Sequence, residues 1–349
     1  MTSQETIELL QKLIRQPAFS GDEGLTAEFI SKMLTDSGLT VKRSGNNIWT
    51  FDEIDESKPT VLLNSHHDTV KPGKDWEMDP FEGSIEAGKL TGLGSNDAGA
   101  SLVCLLATFI NHDSESKFNL VFAATAEEEI SGSGGLRSII DKLPSIDMAI
   151  VGEPTQMHAA VAEKGLVVVD CIAHGESGHA AREEGINAID LALKDIQWIH
   201  NYRFAKLSKM LGPVKMTVTT IEAGEQHNVI PDRCKFTIDI RSTDMYSNDD
   251  ILEVIQSNIS SKVLPRSTRL QPSGLQEAHP LYKTIRQMKI AEFGSPTLSD
   301  QSLMPWPSLK MGPGDSARSH TANEYILLEE IENGIDVYTR FLMKLEEQL

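Results

Sequence analysis

Three apolar segments of this chain run directly into side chains that can bind a metal ion, and this pattern limits the folds open to it. Residues 61–64, 120–126 and 149–151 have the composition of buried strands. The polar side chains that follow are His66 and Asp68 after the first segment, Glu127 to Glu129 after the second and Glu153 after the third. An open α/β sheet binds ligands at the carboxyl ends of its strands. The pattern therefore predicts such a sheet, with a polar site along one edge.

A further carboxylate, Asp97, follows a glycine-rich turn. Residues 92–96 read Gly-Leu-Gly-Ser-Asn, and residues 102–110 form an apolar run typical of a buried helix. The dipole of a helix favours a carboxylate near its N-terminus whether or not that carboxylate binds a metal. Any one of these polar positions is compatible with an ordinary solvated side chain, but their occurrence together indicates a metal site.

The two adjacent histidines, His66 and His67, differ in which side of the chain they occupy. Residues i and i+2 of an extended chain point the same way, so His66 lies on the same side as Asp68. The Asp68 carboxylate can then orient the imidazole of a metal ligand. We therefore predict His66 as the ligand and expect His67 to pack on the opposite side.

The order of these motifs resembles that of the M20 metallopeptidases. The motifs are His-x-Asp, Asp, Glu-Glu and Gly-Glu-Pro-Thr, followed near the C-terminus by Gly-Pro-Gly and then His320. The resemblance spans nearly the whole chain and is strongest to the short members of the acetylornithine deacetylase type. It implies a zinc-peptidase-like α/β catalytic domain with a mixed sheet and helices on both faces, together with an inserted ferredoxin-like α+β domain.

A change in the apolar pattern near Lys164 marks the start of the predicted insertion. Beyond it, residues 166–173, 186–199, 214–221, 234–240 and 251–259 follow the order β-α-β-β-α. This order suggests a ferredoxin-like domain. We place the metal-binding catalytic domain at residues 1–164 and 275–349, and the inserted lid and dimerisation domain at residues 165–274.

The resemblance implies a role for each predicted metal ligand. His66 and Glu153 would bind one divalent ion. Glu129 and His320 would bind a second, and Asp97 would bridge the two. Nitrogen and oxygen ligands of this kind suit zinc, with cobalt or manganese as alternatives.

The three consecutive glutamates leave the general base open to choice. The resemblance favours Glu128 as the base, Glu129 as a metal ligand and Glu127 as neither. Because the three residues are adjacent, a shift of register by one would make Glu127 the base. We expect the glycine-rich residues 131–135 that follow to begin a helix.

Three residues of the inserted domain resemble substrate-binding residues of the family. The histidine that matches His179 reaches the partner subunit's active site in related enzymes and polarises the scissile carbonyl. Asn228 and Arg241 resemble the pair that binds the substrate. Arg241 alternates with the apolar residues of its strand, which leaves its guanidinium free to bind an α-carboxylate. An ordinary surface position is the alternative for His179 and for Arg241.

Composition excludes several classes of partner. The net charge of −19 opposes binding to nucleic acid or to an anionic membrane. The chain has no apolar run of about 20 residues and no signal-peptide segment. Its three cysteines lie far apart in apolar runs, which favours reduced core thiols. We therefore expect a cytoplasmic enzyme, and the resemblance implies a homodimer formed through the inserted domain.

The predicted activity is metal-dependent removal of a small acyl group from the α-nitrogen of an amino acid. The resemblance makes N-acetyl-L-ornithine the leading substrate, which implies arginine biosynthesis. N-acetylcitrulline, N-succinyl analogues of ornithine or citrulline, and succinyl-diaminopimelate remain alternatives. An amino acid attached to an acidic carrier protein is disfavoured by the charge of the chain. A non-catalytic binding protein is disfavoured because every predicted ligand and base position carries a competent side chain.

Overall fold

The computed structural model describes residues 1–113, 115–182 and 184–349. These residues form two compact units. The first unit comprises Met1–Val161, Leu275–Phe293 and Ser299–Leu349, and the second comprises Ala162–Gly274 and Gly294–Leu298.

The described helices are α1 (Ser3–Ile14), α2 (Gly24–Asp36), α3 (Ala100–Ile110), α4 (Ala188–Asn201), α5 (Asn248–Asn258), α6 (Pro280–Met288) and α7 (Leu328–Glu346). The described strands are β1 (Val41–Ser44), β2 (Asn47–Phe51), β3 (Thr60–His66), β4 (Ser84–Glu86), β5 (Lys89–Thr91), β6 (Asn119–Thr125), β7 (Met148–Val151), β8 (Ala159–Glu163), β9 (Gly165–His174), β10 (Gly178–His179), β11 (Lys215–Ala223), β12 (Val229–Ile230), β13 (Arg233–Ser242), β14 (Lys262–Pro265), β15 (Ser273–Gly274), β16 (Glu292–Ser295), β17 (Ser308–Lys310) and β18 (Tyr325–Leu327).

A mixed sheet forms the centre of the first unit. Its strands follow the order β1-β2-β6-β3-β7-β17-β8. The pairs β3–β6, β3–β7 and β7–β17 are parallel, whereas β1–β2, β2–β6 and β17–β8 are antiparallel. This architecture confirms the predicted α/β class with a mixed sheet.

Both faces of this sheet are buried, which explains why its central strands are almost continuously apolar. On one face, Leu62 and Val121 belong to an apolar cluster with Leu136. On the other, Phe122 of β6 meets Phe109 of α3, with ring centroids 6.1 Å apart. Apolar packing against both faces therefore holds the central strands of the sheet in place.

Parallel pairing brings the carboxyl ends of β3, β6 and β7 to one edge of the sheet. His66 is the last residue of β3 and pairs with Thr125, the last residue of β6. Asn64 of β3 pairs with Val151, the last residue of β7. The side chains that follow β6 and β7 therefore emerge beside His66, as the strand-end pattern predicts.

The second unit contains an antiparallel sheet with the strand order β11-β13-β9-β14. Along the chain, the four strands of this sheet and the two helices packed on it follow the order β9-α4-β11-β13-α5-β14. This chain order and this strand order together are those of a ferredoxin-like split βαβ domain. The apolar face of the sheet, which includes Val169, Phe236 and Ile238, forms one buried cluster with Ala192 of α4 and Ile251 of α5.

The three cysteines, Cys104, Cys171 and Cys234, are buried free thiols, as predicted. In the part of the chain that the structure describes, no helix has both the length and the apolar composition needed to cross a bilayer.

Candidate active site

Two groups of ligand-type side chains lie at the edge of the first unit's sheet and share Asp97. In the first group, the ligand atoms of His66, Asp97 and Glu153 all lie within 4.8 Å of one another. His66 Nε2 is 3.3 Å from Asp97 Oδ1 and 3.7 Å from Glu153 Oε1. In the second group, His320 Nε2 is 2.9 Å from Glu129 Oε2 and 3.7 Å from Asp97 Oδ2. The structure thus brings together the five residues predicted as ligands.

The spacing within each group fits a divalent cation. Around zinc, tetrahedral ligands at about 2.1 Å from the ion lie about 3.4 Å from one another. The distances from His66 to Asp97 and to Glu153, 3.3 and 3.7 Å, bracket that value. One carboxylate oxygen of Asp97 faces each group. The residues present therefore fit two ions that share Asp97.

Electrostatic repulsion among these carboxylates also favours bound cations. Burial raises the pKa of Glu153 to about 8, and the charge of Asp97 adds to the effect. Burial likewise raises the pKa of Glu128 well above its usual value, with Glu153 and Glu129 contributing. A hydrogen bond to Glu129 raises the pKa of His320 to about 9. Acidic groups held this close are stabilised by a positive charge between them.

Asp68 contacts both the His66 imidazole and the backbone of the turn that carries the glutamates. His66 Nδ1 lies 3.0 Å from the backbone carbonyl oxygen of Asp68 and 3.4 Å from its Oδ1. The same carboxylate accepts hydrogen bonds from Ser20 Oγ at 2.7 Å and from the backbone N–H groups of Glu128 and Glu129, at 3.1 and 3.2 Å. Asp68 therefore fixes both the imidazole and the turn that carries the glutamates.

The three glutamates point in different directions. Glu127 has a left-handed φ of +54°, and its carboxylate accepts a hydrogen bond from the N–H of Gly134 at 2.8 Å. Glu128 Oε2 lies 3.9 Å from His66 Nε2. Glu129 faces His320. This arrangement directs Glu128 and Glu129 to the candidate metal centre and Glu127 away from it.

The glycine-rich segment 131–135 wraps around the Glu127 side chain, and the expectation that it begins a helix is wrong. A Cβ atom added at Gly132 or Gly134 would lie 2.0 or 2.3 Å from a Glu127 carboxylate oxygen, so a side chain at either position would displace the Glu127 carboxylate. Only two short 3-10 turns follow, Leu136–Ser138 and Ile140–Lys142. The glycines therefore serve close approach to Glu127.

His67 is buried and turned away from the candidate metal centre, as expected. Its Nδ1 lies 2.8 Å from Thr26 Oγ1, and its Nε2 lies 2.8 Å from the backbone carbonyl oxygen of Asn46. Both ring nitrogens thus have partners in the protein interior. Burial lowers the pKa of His67, which favours the neutral ring.

Glu324 is a buried carboxylate that is absent from the predicted site residues. It accepts hydrogen bonds from the backbone N–H groups of Gly94, Asn96 and Asp97 at 3.1, 2.9 and 2.8 Å. Burial raises its pKa to about 8, with the charge of Asp97 contributing. Its place four residues after His320, in Asn-Glu-Tyr, is the sequence signal that could have found it.

The three substrate-binding candidates all belong to the second unit. His179 is exposed, and its Nδ1 accepts a hydrogen bond from the N–H of Ala181 at 3.1 Å. The N–H of Ala180 donates to the backbone carbonyl oxygen of Asn228 at 3.0 Å, which holds the segments of His179 and Asn228 side by side.

Arg241 lies on β13 and is already paired within that strand. Its Nε and Nη2 donate to Oδ1 and Oδ2 of Asp239 at 2.9 and 3.2 Å. Arg241 alternates with the apolar residues of its strand, as expected. The prediction that its guanidinium is free is wrong, because Asp239 lies on the same face of the strand and pairs with it.

Residues 62–344 match the sequence profile of peptidase family M20/M25/M40. Succinyl-diaminopimelate desuccinylase 2 of Ruegeria sp. is 28% identical, over 71% of this chain and 68% of its own length. The [LysW]-lysine/[LysW]-ornithine hydrolase of Sulfurisphaera tokodaii is 26% identical, over 97% of this chain and 95% of its own. Aminopeptidase PepT of Bacillus cereus superposes with a TM-score of 0.76 at 16% identity, over 99% of both chains, so the fold is the same.

Proposed function

The chain belongs to peptidase family M20/M25/M40, and from this membership we propose that it hydrolyses the amide bond of N-acyl amino acids with two divalent metal ions. The observation that carries the proposal is the pair of ligand groups that share Asp97, with the Glu128 carboxylate beside them. His66, Asp97 and Glu153 would hold one ion, and Asp97, Glu129 and His320 the other. Zinc suits these ligands, and cobalt or manganese would replace it.

When bound, the ions would polarise the amide carbonyl and lower the pKa of the attacking water. Glu128 accepts the proton from that water as the water attacks the amide carbon, and then delivers the proton to the leaving nitrogen. Its position supports this role, because its carboxylate lies 3.9 Å from His66 Nε2 of the first ligand group without belonging to either group. Burial also raises its pKa, as a group that accepts and then donates a proton requires.

N-acetyl-L-ornithine is the leading substrate, hydrolysed to L-ornithine and acetate in arginine biosynthesis. The resemblance to deacetylases of this length supports the acetyl group. The name of the S. tokodaii hydrolase supports ornithine as the amino acid.

An N-succinyl amino acid is the second candidate. The similarity to succinyl-diaminopimelate desuccinylase 2 favours it. The acyl pocket would then need a cationic or hydrogen-bonding partner for the second carboxylate of the substrate, a requirement that N-acetyl substrates do not impose.

A substrate panel tests both candidates. Protein stripped with a chelator and reloaded with zinc or cobalt is given the N-acetyl and N-succinyl derivatives of ornithine, citrulline and diaminopimelate, and release of the free α-amine is measured. We expect hydrolysis that requires the metal and is abolished in Glu128→Gln. Absence of hydrolysis with every compound after reloading would refute the proposed activity, and the ranking of kcat/KM would decide the acyl group.

The second unit supplies the proposed contacts to the substrate. Asn228 and Arg241 would bind the amino-acid portion, with the Arg241 guanidinium shared between Asp239 and the substrate carboxylate. In a cytoplasmic homodimer formed through residues 165–274, His179 would reach the active site of the partner subunit and polarise the scissile carbonyl of the substrate bound there. Mixing inactive Glu128→Gln with inactive His179→Ala should restore activity; no recovery after subunit exchange would refute the shared site.

A further inference from the structure

The loop that carries Asp97 has an irregular backbone. Gly94 has a left-handed φ of +73°, and Asp97 has φ −118° and ψ 100°, so the turn Ser95–Gly99 is not a regular helix. The backbone N–H groups of such a loop are not paired by regular secondary structure and need other acceptors. The position of the shared ligand Asp97 therefore depends on whatever accepts these hydrogen bonds.

Glu324 accepts three of these hydrogen bonds with one carboxylate. Its Oε1 receives the N–H groups of Asn96 and Asp97, and its Oε2 receives that of Gly94. The side chain is only 2% exposed, so water does not compete for the two oxygens.

The backbone of Glu324 joins the same loop to β18. Its carbonyl oxygen accepts a hydrogen bond from the N–H of Gly92 at 3.0 Å. The neighbouring residue Tyr325 pairs with Thr91 of β5. Glu324 is therefore held in place by a strand pair on one side and holds the Asp97 loop on the other.

The segment that leads into Glu324 carries another ligand of the second group, His320. His320 and Asn323 both have left-handed backbones, with φ values of +58° and +55°. Residues other than glycine keep this conformation only where their surroundings hold it. Asn323 Oδ1 accepts a hydrogen bond from the backbone N–H of Glu77 at 3.0 Å, which anchors the segment of His320 to a distant part of the chain.

We propose that Glu324 is a positioning residue of the two-ion site, a role that rests on the proposed function. Its carboxylate fixes the backbone of Asp97, and its own backbone anchors the segment of His320. It thereby sets the separation of Asp97 Oδ2 from His320 Nε2, which is 3.7 Å. Glu324 itself faces backbone N–H groups and is not a ligand.

Substitution of Glu324 should weaken metal binding, and the effect should be larger when more of its three hydrogen bonds from the Asp97 loop are lost. Glu324→Ala removes all three, whereas Glu324→Gln keeps one acceptor oxygen and turns an NH2 group toward an N–H. We expect the dissociation constant of at least one ion to rise about 10- to 100-fold in Glu324→Ala, as for other residues that orient ligands. Glu324→Gln should be intermediate and serves if the alanine variant does not fold.

Asp195 offers a matched control in the second unit. It is 5% exposed, and its carboxylate accepts the backbone N–H groups of Ser260 and Ser261 at 3.1 and 2.8 Å. Asp195→Ala removes a buried carboxylate of the same kind. It should lower the melting temperature of the metal-free protein without changing the affinity for metal.

Zinc and cobalt dissociation constants are measured by competition with a chelator, and hydrogen exchange is followed at the N–H groups of residues 94, 96 and 97 in metal-free protein. The proposal predicts weaker binding, a lower kcat at saturating metal with little change in KM, and faster exchange in the Glu324 variants only. Dissociation constants within about twofold of wild type, or unchanged exchange, would overturn it. A wild-type protein that binds no ion would refute the proposed function, and the exchange measurement would then still decide whether Glu324 fixes Asp97.

Discussion

Replacing Glu127 and Glu128 separately by glutamine should have opposite effects on stability and activity. The two side chains are adjacent in sequence, but Glu127 binds the backbone of Gly134, whereas Glu128 faces His66. We therefore expect Glu128→Gln to lose activity and keep its stability. Glu127→Gln should lose stability and keep its activity.

The contacts of each side chain give the magnitudes. Loss of the general base costs about 10²- to 10⁴-fold in kcat, or about 2.7 to 5.5 kcal/mol of barrier. Because Glu128 is buried beside Glu153 and Glu129, removal of its charge should not destabilise the metal-free protein. In Glu127→Gln, a hydrogen bond to a charged acceptor becomes one to a neutral amide, a loss of about 1 kcal/mol. In a chain of 349 residues that loss should lower the melting temperature by about 1 to 2 °C.

The assay combines kcat on the best N-acyl substrate, metal content, and thermal melting of metal-free protein for both variants. Normal metal content with kcat reduced only in Glu128→Gln is the expected result. An active Glu128→Gln together with an inactive Glu127→Gln would show that the register of the glutamates is wrong by one residue.

Three further predictions concern the surroundings of the site. His67→Ala should retain both ions but melt at a lower temperature, whereas His66→Ala should lose an ion; loss of metal only in His67→Ala would contradict the assignment. The metal-free protein should lose stability as pH rises from 6.5 to about 9, because Glu129 raises the pKa of His320 to about 9 and their ion pair disappears when the imidazolium deprotonates. Melts of His320→Asn should show a smaller dependence on pH over this range, and an identical dependence would refute the cause. Arg241→Lys should raise KM for a carboxylate-bearing substrate about tenfold, since a bidentate contact is lost, and an unchanged KM would remove Arg241 from the site.

The position of the site was predictable because it depends on local rules. Parallel strands align their carboxyl ends, so His66, the glutamates after β6 and Glu153 had to lie along one edge. The alternation of an extended chain separated His66 from His67. Both inferences need only the pattern of the strands, and the structure follows them.

Features that depend on contacts between distant segments were not predictable in the same way. The hydrogen bonds from the Asp97 loop to Glu324 span more than 220 residues of sequence, and no periodicity marks them. The sequence of residues 131–135 favours the start of a helix, because the close contact of its glycines with the Glu127 side chain cannot be read from sequence. Alternation places Arg241 and Asp239 on the same partly exposed face of β13, but it does not show that their side chains adopt rotamers that pair them.

Metal analysis of wild-type protein and of Glu153→Ala, Glu129→Ala and Asp97→Ala decides whether two ions share Asp97. Each purified protein is saturated with zinc, dialysed, and measured for ions bound per chain. The proposed two-ion site predicts two ions in the wild type, one in Glu153→Ala, one in Glu129→Ala, and impaired binding of both in Asp97→Ala. A wild-type protein with fewer than two ions, or an Asp97→Ala variant that binds two ions as tightly as the wild type, would contradict it.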